Sequence, residues 1–193
     1  MTALRIEAAA PVAPTLVFGI GNPSRGDDAL GPMLIERLER EQTAGRLPGV
    51  DLLTDFQLQP EHALDLRGRE RVIFVDASLR GTEPYRLLTV DAQTVPTPSS
   101  THSTSPETLL QVYRQLYGEP PPAELLAVRG YVFALGAELG VRARTNLGLA
   151  LAALLRWLSQ PTRRVLVAGQ RLSECEATAR RAAVGHMLRG KSV

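Results

Sequence analysis

The sequence predicts an α/β domain built on a mostly parallel, twisted sheet, and three observations carry that prediction. Short apolar runs rich in β-branched residues (TLVFGI, VDLLT and VIFVDA) suit strands buried on both faces. Segments with apolar residues at helical spacing separate them, and strands alternating with helices favour parallel, doubly wound sheets. The chain has 193 residues and no internal repeat, which fits one domain with a full core.

In order, residues 1–13 read as a flexible tail: MTALRIEAAAPVAP has one arginine, and Glu7 and two prolines break any signal-like apolar core. Thr15 to Ile20 is the first strand. After a glycine loop, Leu30, Met33, Leu34 and Leu38 recur at helical spacing, with Pro32 tolerated in the first turn. Val50 to Thr54 and Val72 to Ala77 are the second and third strands, with PEHALDLRG between them as a short helix ending at Gly68. Tyr85 to Val90 is an edge strand, and TVPTPSSTHSTSP is a long loop. Ser105 with Pro106 and Glu107 starts a helix whose apolar face is Leu109, Leu110, Tyr113, Leu116 and Tyr117. GEPPPAE is a connector, Tyr131 to Leu135 the last core strand, and Asn146 to Leu158 an apolar helix. The predicted domain therefore spans 14–160. Residues 161–193 form a C-terminal extension in which Ser173 and Glu176 open an arginine-rich helix.

Composition excludes several function classes. Twenty-two basic and 20 acidic residues leave a net charge of +2, so a pI near 9.0 reflects a small imbalance and no nucleic-acid stripe. No window of about 18 uninterrupted apolar residues exists to span a bilayer. Cys175 is alone, so an internal disulfide and a cysteine-based metal cluster are both excluded, and a cytoplasmic location is expected.

The stretch GIGNPSRGDDALG, Gly19 to Gly31, carries the chemistry. It is not a dinucleotide fingerprint, because Ser24 holds the third glycine position and two carboxylates at a helix start repel a pyrophosphate. Asp27 and Asp28 each have an ordinary reading as first-turn acids, and Asp76 has one as a strand-ending turn residue. However, ligands of open parallel sheets bind beyond the carboxyl ends of the strands. Asp28 and Asp76 reach that region from separate loops, as does His102 from the loop after the next strand. Two carboxylates and an imidazole suit a divalent transition ion such as nickel or zinc. His62 and His186 read as surface histidines on helices.

The pattern resembles the maturation endopeptidases of nickel-iron hydrogenases, whose first strand is followed by GxGNxxxxDDxxG. The matches are Gly19, Gly21, Asn22, Asp27, Asp28 and Gly31, then Asp76 in VDAS and His102 in STHSTSPETLL. The resemblance covers roughly residues 15–158. It implies a three-layer αβα sandwich and removal of a C-terminal extension from a hydrogenase large-subunit precursor after nickel insertion. By the resemblance, Asp28, Asp76 and His102 contact nickel carried by the substrate, so no permanent cofactor is expected. Asp28 and Asp76 are the candidate catalytic carboxylates. Asp55 in TDFQLQPEHA, with Gly21 and Asn22, is assigned to substrate binding, and Asp27 caps and orients the turn. The TDFQLQPEHA segment departs from the glycine-rich version of some members and looks more like relatives serving cytosolic hydrogenases. Nickel-insertion accessory proteins are further candidate partners; nucleic acid and membrane are not.

Two mechanisms stand at this point: the nickel ion activates water and polarises the scissile carbonyl, or Asp28 or Asp76 acts as general base while the metal positions the bond. GxSxG and HExxH motifs are absent. GIGNPSRG also looks like the opening of bacterial peptidyl-tRNA hydrolases, but the Arg-His-Asn-x-x-Gly segment of those enzymes is replaced by DDALGP. The remaining alternatives are a precursor-binding chaperone that does not cleave and a freestanding zinc peptidase.

Overall fold

The computed structural model describes residues 12–93 and 104–160. The TLVFGI run forms β1 (Thr15–Ile20), buried along its whole length because it lies inside the sheet with helices over both faces. It leads through a 3-10 turn (Gly26–Ala29) into α1 (Leu30–Thr43). Next come β2 (Val50–Asp55), a second 3-10 turn (Pro60–Leu64), β3 (Arg71–Ser78) and β4 (Tyr85–Val90). The described chain closes with α2 (Pro106–Tyr117), β5 (Ala123–Arg129) and α3 (Val141–Leu158).

The five strands lie in the order β2-β1-β3-β5-β4. All neighbours are parallel except β4, which runs antiparallel to β5 at the edge. Alternation along β3 divides the core: Ile73 and Val75 face α1 and α3, packing with Leu34, Leu38, Leu147 and Leu154. Val72 and Phe74 face the other way, against Leu109, Leu110 and Tyr113 of α2 and Leu66 beyond the second 3-10 turn. Helices therefore cover both sides of a mostly parallel sheet, the three-layer arrangement expected. Among the described residues no helix is long and apolar enough to cross a membrane.

Several boundaries move. The stretch Tyr131 to Leu135 is not a strand; the last core strand is β5, which begins in the last two residues of what reads as a proline connector and runs on to Arg129. Three prolines in GEPPPAE push the sequence-based boundary too late, whereas the chain is already paired with β3 at Ala123. Helix α3 starts at Val141, five residues before Asn146. The short helix is a single 3-10 turn ending at Leu64, and the chain turns on at Gly68 with φ +73°. On α2, Leu109, Leu110 and Tyr113 are buried, but Leu116 and Tyr117 are exposed. Ser105 caps α2 as expected, its Oγ accepting the Thr108 N–H at 3.2 Å. Of the expected tail, Ala13 is fixed: its carbonyl accepts from Arg69 Nη1 at 2.8 Å. The expected helix at Ser173 and Glu176, Cys175 and His186 lie outside the described residues.

Candidate functional site

The sheet order reverses between β1 and β3, since β1 connects outward to β2 and β3 connects the other way toward β5. At such a switch point the loops beyond the carboxyl ends diverge and leave a crevice. The glycine loop enters it directly from β1. Gly21 has φ +138°, and a Cβ there would stand 2.0 Å from the Asp28 carbonyl oxygen, so no side chain fits this turn. Gly31 is equally constrained: a Cβ would lie 2.2 Å from the Ile20 oxygen, which is why α1 can lie against the end of β1.

These contacts fold the loop back so that Asp28 turns inward, its Oδ2 accepting the Asn22 N–H at 2.9 Å. Asn22 in turn accepts the Ser24 N–H through its own side-chain oxygen, also at 2.9 Å. The Gly21 N–H donates to the Asp55 carbonyl at 3.1 Å, which ties the loop to the end of β2.

Asp76 arrives from β3. That strand runs on to Ser78, so Asp76 does not close it; instead, pairing with β1 stops at Val75, and from Asp76 onward β3 pairs only with β5. Its carboxyl therefore stands at the lip of the crevice, half-buried, with Oδ1 accepting the Ala77 N–H at 2.7 Å. Burial pushes its pKa up to about 7, against the pull of the Ala77 N–H, and the nearby Asp28 charge pushes it further in the same direction. Two carboxyls that feel each other here, one holding a proton near neutrality, can exchange a proton with water or hold a cation between them.

Asp27 does something other than cap. It is 0% exposed, and the 3-10 turn has no side-chain cap. Its Oδ2 accepts the N–H groups of Tyr131 (2.7 Å) and Val132 (3.0 Å), and its Oδ1 accepts that of Gly140 (2.8 Å). The turn is oriented, as expected, but by a clamp on the segment that otherwise reads as a strand. Backbone bonds from Asp27 to the Val132 oxygen and from Gly26 to the Ala137 oxygen complete the seam. Tyr131 is held from the other side by Asn146, which donates to its hydroxyl at 3.1 Å and to the Arg129 carbonyl at 2.9 Å.

Beside the carboxylates lies an open cleft of ≈ 280 Å³ lined by Gly21, Pro23, Pro32, Thr54, Asp55 and Phe56. Two of the three predicted substrate-binding residues, Gly21 and Asp55, line it; Asn22 adjoins it through the loop, and Asp28 and Asp76 do not line it. Phe56 is 65% exposed at its mouth, an unusual position for a large apolar ring. Among the described residues no group of three or more His, Cys, Asp and Glu comes together to hold a metal ion. The third predicted ligand, His102, lies outside the described residues.

His62 is expected on the surface, and the structure leaves its side chain only 14% exposed. Its ring packs 4.9 Å from that of Phe18, and its Nε2 lies 3.4 Å from Asp55 Oδ2. A signal for this exists in QPEH: Pro60 opens the 3-10 turn, so His62 is its third residue, where a side chain reaches back to the residue before the turn.

Solved structures with this arrangement include the NiFe hydrogenase maturation protease HycI from Thermococcus kodakarensis, with a TM-score of 0.59 and 22% identity, covering 77% of this chain and 94% of that one. The fold is that of the hydrogenase maturation proteases. The maturating endopeptidase HybD from Escherichia coli is similar at a TM-score of 0.58 and 20% identity, covering 75% of this chain and 91% of that one. The hydrogenase 2 maturation peptidase from a Thaumarchaeota archaeon is similar at 0.53 and 22%, covering 75% and 97%. No family model matches the chain, and no curated protein matches it by sequence. The likeness to the maturation proteases thus lies in the sheet order and the flanking helices.

Proposed function

We propose that this protein is a cytoplasmic endopeptidase that removes the C-terminal extension of a NiFe-hydrogenase large-subunit precursor once nickel has been inserted. One observation carries the reading: on the maturation-protease fold, Asp28 and Asp76 meet at the switch point of the sheet, immediately beside an open cleft edged by Asp55. In this reading an extended peptide lying in that cleft reaches both carboxylates. Nickel belongs to the substrate in this reading, and Asp28, Asp76 and His102 are its contacts on the enzyme. Nickel-insertion proteins are the further partners.

Hydrolysis adds water oxygen to the scissile carbonyl carbon, breaks the C–N bond and delivers a proton to the leaving amine. Asp76 suits the proton transfers, because a carboxyl titrating near 7 can both take a proton from water and return one close to neutral pH. Asp28, fixed by the Asn22 N–H, orients the other side of the reacting group. Asp55 and Gly21 receive the peptide in the cleft. Nickel, when present on the precursor, supplies Lewis-acid polarisation of the carbonyl.

The test is the intact mass of a co-purified large-subunit precursor, with and without nickel, after incubation with the wild-type protein or Asp28→Asn. Loss of a C-terminal peptide with nickel and wild type alone is the expected outcome. Unchanged mass despite tight binding would replace the protease with a precursor-binding chaperone.

A further inference from the structure

We infer that His62 is a positioning residue for Asp55, presenting that carboxylate to the substrate in the cleft; the inference rests on the protease reading for Asp55's task and on geometry for the pair itself. The imidazole is held at one nitrogen by a hydrogen bond and meets Asp55 at the other through a longer charge contact. Nδ1 accepts the backbone N–H of Gln59 at 2.9 Å, so Nδ1 carries no proton and the ring hydrogen sits on Nε2. Nε2 faces Asp55 Oδ2 at 3.4 Å. Phe18, itself 1% exposed, packs against the ring at 57° between planes and leaves it little freedom to turn away.

Asp55 is the last residue of β2 and points to the same sheet face as Leu53, toward the Pro60–Leu64 turn. Its Oδ1 accepts the N–H of Phe56 at 2.5 Å. With Oδ1 tied to its own backbone and Oδ2 facing the Nε2–H, the carboxylate is held from two sides at the wall of the cleft, although the group is 43% exposed. A carboxylate that exposed has several rotamers open to it, and ordering it beforehand lowers the cost of binding. The turn that carries His62 thus connects the buried Phe18 to the substrate-facing acid.

Two substitutions separate the nitrogens. Asparagine reaches only the Nδ1 position and keeps the acceptor for Gln59, whereas glutamine reaches the Nε2 position and keeps a donor for Asp55. We expect His62→Asn to fold and to bind the nickel-loaded precursor about fivefold more weakly, the scale of losing a partly exposed contact to a charged group. His62→Gln should remain within about threefold of wild type. Equal binding by the two variants would overturn the inference. Independently of any precursor, ¹⁵N–¹H correlation of the isolated protein should find the imidazole proton on Nε2, with a resonance that moves in Asp55→Asn. A proton on Nδ1 would overturn the pairing. If the wild-type protein neither binds nor cleaves precursor while the proton sits on Nε2, the protease reading falls and the His62–Asp55 pair stands.

Discussion

Asp27→Asn tests whether the crevice is held open by a buried carboxylate. The wild-type side chain is fully enclosed and receives three backbone N–H groups from a segment more than 100 residues away in sequence. Asparagine has one acceptor oxygen, and its NH₂ only donates. If the oxygen turns toward Tyr131 and Val132, the NH₂ confronts the Gly140 N–H, donor against donor. The opposite turn strands two donors. The milder arrangement forfeits one charge-assisted bond, about 1.5–3 kcal/mol, and leaves one buried donor unmet, a further ~1–3 kcal/mol. A loss of about 3 kcal/mol or more follows, a large share of a typical domain stability of roughly 5–15 kcal/mol. Urea unfolding should show a lower midpoint at an unchanged slope, and the thermal midpoint should drop by roughly 6–12 °C for a domain of this size. Hydrogen exchange at Tyr131, Val132 and Gly140 should accelerate more than at the β1 and β3 amides. A loss below about 1 kcal/mol would refute the reasoning, because it would mean the three N–H groups find other acceptors at little cost.

Two further perturbations follow from the same geometry. Folded, Asp76 keeps its proton up to about pH 7, whereas unfolded it releases it near 3.8. The folded state therefore binds more protons across that interval, and stability falls as pH rises through it. In the metal-free protein Asp76→Asn should abolish this fall and raise stability at pH 8 relative to wild type; parallel stability curves for the two proteins would count against it. Gly31→Ala places a methyl 2.2 Å from the Ile20 oxygen and 2.8 Å from that of Val75, so α1 must shift away from the sheet. We expect a cost at the top of the overpacking range, about 3 kcal/mol, and a drop in precursor cleavage because the Asp28 turn moves with the helix; unchanged unfolding would show the contact to be soft.

Much of the sheet was legible because burial writes itself into local composition. A parallel strand covered on both faces is apolar along its buried run, as TLVFGI and VIFV are; Asp28 and Asp76 stand out as acids that follow such runs. The AELLAVR strand is not legible because Glu124 and Arg129 interrupt its apolar run and the prolines before it read as connector. YVFAL, conversely, looks like a strand but pairs with no strand among the described residues, and two of its N–H groups go to Asp27 instead. His62 reads as a surface histidine because only its three-residue reach back to the Gln59 N–H is local, whereas its partner Asp55 and its cover Phe18 come from different strands.

By itself the sequence determined four of the five strands, β1 to β4, the glycine turn and the pair of acids that enter the crevice. Those features rest on interactions within a few residues or on burial shared by a whole run, and both leave a periodic or compositional trace. Only the tertiary structure decided that β5 lies between β3 and β4, that Asp27 clamps the 131–140 segment while Asp28 turns inward, and that Asp55 is held by a histidine. Each of these depends on which segments become neighbours across the sheet, and hydrogen bonds between distant segments impose no spacing on the chain that could be read beforehand.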